Sequence, residues 1–157
     1  MLNSEKNVVK VYSNYKILNT LLAENEAKSN KFGIQFDAYV EQGTDLDNIS
    51  DIDMITMIGN LLDNAVVAAA KKKEKSIVKV RIFMQNEGSI CVVKVVNDFD
   101  GKLIKKEGKL ITTKKNGGLH GIGMTSVNRT AEKYNGYLEY YIEDNKFVAV
   151  LILPVEQ

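Results

Sequence analysis

One segment limits the possible folds of this chain more than any other, because it is long, apolar and almost free of charge. Between Met54 and Ala70 the only ionisable residue is Asp63. An aspartate just before or within its first turn, Asp51 or Asp53, can cap the start of a helix there. A helix so poor in charge cannot expose a broad face to water along its whole length. The sequence therefore predicts a core helix around which the rest of the chain must pack.

The composition is that of one ordinary domain. Of 157 residues, 45% are hydrophobic and 26% are charged, and the formal net charge is +1. This balance excludes disorder and leaves no overall field to hold nucleic acid or an anionic membrane, so we expect neither as a partner. The single proline, Pro154, lies near the end of the chain and no flexible linker divides it. We predict one domain over residues 15–157, preceded by a connection at residues 1–14.

Single copies of two chemically versatile residues narrow the possible functions. Cys91 is the only cysteine and His120 the only histidine, which excludes a disulfide framework and a cysteine–histidine zinc site. No uninterrupted apolar run reaches the length of a membrane span, and the polar N-terminus does not resemble a signal peptide. We expect a soluble domain in a reducing cytosol.

The order of predicted elements favours an α+β fold. The expected elements are a helix over Tyr15 to Asn30, a strand over Ile34 to Val40, the core helix to about Ala70, a hairpin of Ser76 to Gln85 and Ser89 to Asn97, a loop from Asp98 to His120, a helix from about Gly121 to Asn135, and strands over Tyr137 to Glu143 and Lys146 to Leu153. Strands in adjacent pairs predict a two-layer sandwich, with a mixed, mostly antiparallel sheet covered on one face by about three helices.

Two asparagines on the core helix need partners. At about 100° per residue, one apolar face is formed by Ile55, Ile58, Leu62, Ala65 and Ala69. Asn60 and Asn64 then lie nearly opposite, flanked by Met57 and Val67. Their amides either bond to nearby backbone or water, or Asn64 offers its oxygen to a hard cation such as Mg²⁺ that holds phosphate oxygens.

Two further segments carry polar or glycine-rich patterns. Glycines at Gly118, Gly121 and Gly123 precede the third predicted helix, where backbone N–H groups and the helix dipole favour an anion. Neither a Walker loop nor a Rossmann fingerprint fits their spacing. At the end of a predicted strand, Asn97 to Gly101 are either placed to read the edge of a base or form a plain acidic turn.

Together these three segments resemble, in order and spacing, the N box and the two glycine boxes of the GHKL ATP-binding fold, which gyrase, a heat-shock chaperone, histidine kinases and MutL share. The resembling segments are Asn60–Ala65, Asn97–Gly101 and His120–Met124. Within this superfamily, Thr112-Thr113-Lys114 and the residues from Ser126 to Gly136 look like the catalytic domain of Agr-type quorum-sensing sensor histidine kinases. The resemblance covers roughly Tyr15 to Pro154.

The resemblance implies roles for individual residues. Asn64 would bind Mg²⁺, Asn60 would assist around the phosphates of ATP, and Gly121 and Gly123 would form the hinge of a lid over about Phe99 to His120. The remaining implied nucleotide contacts are Gly101, Thr112, Thr113, Lys114, His120, Ile122 and Met124. The family usually has aspartate where Asn97 aligns, so either Asn97 or its neighbour Asp98 would read adenine.

The resemblance also implies a reaction. Relatives that hydrolyse ATP have a glutamate base four residues before the metal asparagine, where this chain has Asn60, and an amide cannot accept that proton. The expected activity is transfer of the γ-phosphate from Mg²⁺-ATP to a histidine on a separate dimerisation domain, and indirectly to a response regulator, at the cytosolic end of a membrane-anchored kinase. The alternatives are a non-catalytic nucleotide-responsive module and a protein serine kinase of the anti-sigma type.

Overall fold

The computed structural model of the chain describes residues 11–72, 74–99, 103–106, 109–112 and 117–155, and for 103–106, 109–112 and 117–123 it describes the backbone. The helices are α1 (Lys16–Lys31), α2 (Asp51–Lys71) and α3 (Gly117–Glu132). The strands are β1 (Gln35–Val40), β2 (Ile77–Gln85), β3 (Ile90–Asp98), β4 (Leu103–Lys106), β5 (Lys109–Thr112), β6 (Tyr137–Glu143) and β7 (Lys146–Pro154).

The main sheet has five strands in the order β1-β2-β3-β7-β6. The β1–β2 pair is parallel, while the β2–β3, β3–β7 and β6–β7 pairs are antiparallel. Tight turns with positive φ at Asp144 and Asn145 join β6 to β7, as a two-residue hairpin turn requires. The predicted α+β sandwich with a mixed, mostly antiparallel sheet is therefore confirmed.

The core lies between the three helices and one face of the sheet. Alternation along the strands sends every second side chain to this face; these include Val78, Val80 and Ile82 of β2, Cys91, Val93 and Val95 of β3, and Leu151 and Leu153 of β7. The opposite face carries polar side chains such as Arg81, whose guanidinium lies 2.9 Å from the Asp37 carboxylate. All the described helices therefore share one side of the sheet.

Helix α2 contains a wide turn that the sequence did not predict. Residues Ile55–Gly59 form a π-helical segment, which holds more residues per turn than an α-helix. The buried positions form two adjacent stripes, one of Asp53, Met57, Leu61, Ala65 and Ala69 and one of Met54, Ile58, Leu62 and Val66.

The helical wheel therefore fails at the start of α2. Ile55, predicted in the apolar face, is 47% exposed, whereas Met57, predicted beside the asparagines, is fully buried. The error arises because a constant 100° per residue was carried through the wide turn. Beyond that turn Ile58, Leu62, Ala65 and Ala69 are buried as predicted.

Three other local features differ from the prediction. The residue that caps α2 is Ser50, whose hydroxyl accepts a hydrogen bond from the Asp53 N–H at 3.1 Å, and neither Asp51 nor Asp53 has this role. Part of the predicted loop between Asp98 and His120 is the antiparallel β4–β5 hairpin, and α3 begins at Gly117, four residues before the predicted start.

Helix α2 is long and apolar enough, at 21 residues, to cross a bilayer by those two measures. In this fold it is instead the central helix of the domain: it packs on β3 and between α1 and α3. Its apolar composition therefore reflects contact with protein on several sides.

Candidate functional site

Asn60 lies where α2 returns from the wide turn to regular helix. The N–H of Asn60 bonds to the carbonyl of Met57, and the Asn60 side chain donates from Nδ2 to the carbonyl of Thr56 at 2.6 Å. The wide turn thus gives the amide nitrogen of Asn60 a backbone partner on its own helix. Asn60 follows the first of the two interpretations open from the sequence, a bond to nearby backbone.

Asn64 lies one turn further along α2 and differs from Asn60. Its Nδ2 is buried and has no hydrogen-bond partner in the described part of the chain. Leaving a buried amide donor unpaired costs about 1–3 kcal/mol, and such groups are uncommon in folded proteins. An acceptor from a bound ligand would remove this cost, so Asn64 is the first candidate contact of a binding site.

Asn97 and Asp98 end strand β3 on opposite faces of the sheet. Asn97 is on the helix-covered face with Val93 and Val95, is 2% exposed, and donates from Nδ2 to the Asp98 carbonyl at 2.9 Å. This bond turns the amide so that its oxygen is left to accept from a ligand, because the described residues supply no donor to it.

On the other face of the sheet, both carboxylate oxygens of Asp98 accept hydrogen bonds from the protein itself. Its Oδ2 accepts from the Ile77 N–H at 2.9 Å and its Oδ1 from the Lys146 ammonium at 2.5 Å. Burial alone would raise the pKa of this carboxyl, but the hydrogen bonds from Lys146 and Ile77 outweigh it, and the net shift lowers the pKa. Asp98 therefore fixes the ends of β2, β3 and β7 beneath Asn97.

The start of α3 is rich in glycine. Gly117, Gly118, Gly121 and Gly123 lie in its first two turns, where glycine costs roughly 1 kcal/mol per residue relative to alanine. The backbone N–H groups without a partner inside the helix are those of its first four residues, Gly117 to His120. Met124 and Val127, which follow, are buried against the core, so the glycine-rich turns sit directly on the packed part of the molecule.

Some predicted site residues cannot be placed by side chain. Gly101, Thr113 and Lys114 lie outside the described residues, while Thr112 ends β5 and His120 and Ile122 belong to the first turns of α3, where the backbone alone is described. Within the described residues no group of three histidine, cysteine, aspartate or glutamate side chains gathers to hold a metal ion.

Sequence reasoning missed one polar cluster, which joins the first turn of α2 to the two residues that follow α3. The nearly buried Asp53 accepts hydrogen bonds from the Tyr134 hydroxyl and, at 3.0 Å to each carboxylate oxygen, from the Lys133 ammonium. The Tyr134 oxygen in turn accepts from the Ser50 N–H at 3.3 Å. The hydrogen bonds from Tyr134 and then Lys133 lower the pKa of Asp53. The spacing Ser50-x-x-Asp53 is close to a capping box, so the sequence could have indicated the Ser50 end of the cluster, where α2 begins.

Several solved structures share the fold of this chain. The chain is similar to the catalytic domain of histidine kinase ThkA, with 22% identity and a TM-score of 0.65 over 87% of this chain and 91% of that one. The Acinetobacter baumannii histidine kinase AdeS matches with 9% identity and a TM-score of 0.62 over 99% and 73%. The mycobacterial sensor histidine kinase MprB matches with 13% identity and a TM-score of 0.57 over 87% and 95%. The fold is therefore that of histidine kinase catalytic domains.

The family follows from the sequence itself. Residues 49–154 match the model of the GHKL domain, which is well over half of the chain, so the chain belongs to the GHKL domain family. No curated protein matches the sequence.

Proposed function

We propose that this chain is the ATP-binding catalytic domain of a sensor histidine kinase. The observation that carries the proposal is the unpaired buried amide of Asn64, on the helix that packs against the glycine-rich helix α3 in a GHKL domain. A triphosphate between these two helices would supply acceptors to Asn64 and would meet the free N–H groups at the start of α3.

Mg²⁺ would be held at Asn64. An amide oxygen is the kind of hard ligand that Mg²⁺ accepts, and the ion otherwise keeps water and phosphate oxygens. With Oδ1 toward the cation, Nδ2 would donate to a phosphate oxygen. This gives both ends of the carboxamide a partner, and the bound ion would neutralise phosphate charge.

Adenine would be read by Asn97 rather than by Asp98. Asn97 is on the face of the sheet that α2 covers and has its amide nitrogen held by the Asp98 carbonyl, so its oxygen can accept from the exocyclic amine of adenine. The carboxylate of Asp98 is engaged by Ile77 and Lys146 on the other face. Because the Asn97 oxygen is neutral, it binds the amine more weakly than the usual aspartate would.

Phosphoryl transfer, rather than hydrolysis, fits the residues around the phosphates. Asn60 occupies the place of the base found in hydrolysing relatives, and its amide can neither accept a proton nor leave the Thr56 carbonyl without breaking a hydrogen bond. This domain would then contribute positioning and charge neutralisation. Lys114 and neighbouring lysines are proposed to share in the latter.

The phosphoacceptor would be a histidine on a separate dimerisation domain, which residues 1–14 would connect to this one, and a response regulator would receive the phosphate later. His120, the only histidine, is proposed to contact phosphate rather than accept it. We propose a cytosolic location at the end of a membrane-anchored sensor.

The direct test mixes the purified chain with γ-labelled ATP and a separately produced acceptor domain. We expect label on the acceptor, in an acid-labile form typical of phosphohistidine, and loss of transfer when Asn64 is replaced by alanine. Acid-stable phosphoserine would identify a serine kinase instead. If calorimetry with Mg²⁺-ADP gives no heat of binding, the proposal fails and a nucleotide-free binding module is favoured.

A further inference from the structure

The cluster of Asp53, Lys133, Tyr134 and Ser50, here called the interhelix tether, is not part of the nucleotide site proposed above. Asp53 is in the first turn of α2, and Lys133 and Tyr134 immediately follow α3. These residues are about 80 positions apart in sequence, yet each polar group in the cluster is paired. The Tyr134 hydroxyl bridges the two helices, because it donates to Asp53 and accepts from the N–H of the Ser50 cap.

The tether lies at a defined distance from the proposed phosphate site along both helices. Asn64 is eleven residues after Asp53, and Gly123 is eleven residues before Tyr134. Both therefore lie about three helical turns from the tether. Helices α2 and α3 pack against each other along this length, with Met57, Leu61, Val127 and Ala131 fully buried or nearly so. Asn64 and the glycine-rich turns of α3 therefore lie on the same side of the tether, along one packed interface between the two helices.

We infer that the interhelix tether is a positioning device: it sets the register of α3 against α2, and so holds the glycine-rich start of α3 level with Asn64. The inference rests on the proposed function in taking Asn64 and these glycines as the two sides of one phosphate and magnesium site. The packed apolar contacts between the helices resist separation, but contacts of this kind are non-directional. A buried carboxylate with three directed hydrogen-bond contacts specifies one register.

The test compares matched variants of the whole chain. Tyr134→Phe removes the bridging hydroxyl alone, and Asp53→Asn keeps the shape while removing the charge. Lys133→Met alters the exposed member and serves as the variant least expected to disturb folding. The control is Asp37→Asn, which breaks an ion pair of similar length to Arg81 on the helix-free face of the sheet.

Two measurements decide the inference. The first is hydrogen exchange of the backbone amides of residues 121–124 without nucleotide, which we expect to become faster in Tyr134→Phe and Asp53→Asn but not in Asp37→Asn. The second is the gain in ADP affinity on adding Mg²⁺, measured as the ratio of dissociation constants in EDTA and in Mg²⁺. We expect this ratio to fall about tenfold in the tether variants, the size expected for one charge-assisted hydrogen bond.

A purely structural cluster would give a different result. If faster exchange is confined to residues 131–137, or if ADP binding weakens equally with and without Mg²⁺, the positioning role is overturned. Should the unmodified chain bind no nucleotide, the proposed function fails, and the exchange of residues 121–124 still decides whether the tether sets the register of α3.

Discussion

At the scale of single residues, Asn64 provides the sharpest test of the nucleotide site. Its amide nitrogen is buried without a partner in the described part of the chain. The Asn64 side chain therefore makes no hydrogen bond from this nitrogen that an alanine substitution would remove. Because the unpaired donor costs about 1–3 kcal/mol, we expect Asn64→Ala to keep or raise the free energy of unfolding, and not to lower it. The same change should weaken Mg²⁺-dependent ATP binding roughly 10- to 100-fold, the value of a lost contact to a charged partner. Calorimetry and denaturant unfolding measure the two effects.

Asn128 is the matched control for this substitution. Its Oδ1 accepts from the N–H of Leu138 at 2.9 Å, which is a structural bond between α3 and the start of β6. Asn128→Ala should therefore lower stability while nucleotide affinity stays as it was. The opposite pattern, with Asn64→Ala unfolding readily and binding normally, would show Asn64 to be a helix amide without a ligand.

Gly136 is required by space rather than by backbone dihedral angles. A Cβ at this position would lie 2.2 Å from the carbonyl oxygen of Ile152, a backbone atom that cannot turn aside. The preceding Asn135, at φ 63°, takes the left-handed position that ends α3, and the Gly136 N–H bonds to the Ala131 carbonyl at 2.9 Å.

We expect Gly136→Ala to destabilise the domain by about 1–3 kcal/mol, the usual cost of forcing extra atoms into a packed site. Chemical denaturation measures this loss. Gly33→Ala is the comparison, because Gly33 has φ +68° but open space around its missing Cβ, so it reports backbone strain alone. Equal midpoints for Gly136→Ala and the unmodified chain would contradict the close approach to β7.

At the scale of secondary structure, the glycine-rich start of α3 links stability to binding. Glycine in a helix costs roughly 1 kcal/mol relative to alanine, so Gly123→Ala should raise the thermal unfolding midpoint slightly. It should also weaken ATP binding by several-fold, because the added methyl hinders approach of the backbone to phosphate. Arg129→Ala, on the exposed side of the same helix, is the control and should change neither property much. Unchanged ATP affinity in Gly123→Ala would remove the phosphate role of this segment.

Helix α2 shows how far periodicity carries a prediction. Its burial, its approximate length and the buried positions Ile58, Leu62, Ala65 and Ala69 could be predicted from the lack of charge and the apolar spacing. The exposure of Ile55 and burial of Met57 could not, because no rule of composition marks where a helix widens by one residue. The same turn determines which hydrogen bond Asn60 makes.

Among the polar residues, some could be predicted from the sequence and others could not. Asn97 could be singled out because it ends a strongly apolar strand. The tether could not be assembled, because Asp53 and Tyr134 are 81 positions apart and neither residue type indicates a distant partner. Local patterns predict elements, whereas the pairing of side chains across elements depends on how those elements dock.

At the scale of the whole molecule, two carboxylates connect stability to pH. Hydrogen bonds lower the folded-state pKa of both Asp53 and Asp98. A lowered pKa stabilises the fold fully above the unfolded-state value, about 3.9 for aspartate. This contribution is lost as the pH falls below that value and through the lower folded-state pKa.

We therefore expect the free energy of unfolding to fall steeply below about pH 4. Asp53→Asn and Asp98→Asn should each be less stable than the unmodified chain at pH 7, by about 1–2 kcal/mol, and should lose less stability on acidification. Denaturant titrations from pH 7 to pH 3 measure both effects. A variant whose acid sensitivity equals that of the unmodified chain would show that its carboxylate does not stabilise the fold.

The wide turn in α2 also affects how this chain can be compared with others. A related chain that lacks one residue between Ile55 and Gly59 can form an ordinary helix there and still point its later side chains in the same directions, because the widened turn absorbs the additional residue. Equivalent positions on either side of this point will then be offset by one in numbering. An alignment that forbids a gap here would pair Asp53 with the wrong neighbour while matching both asparagines correctly.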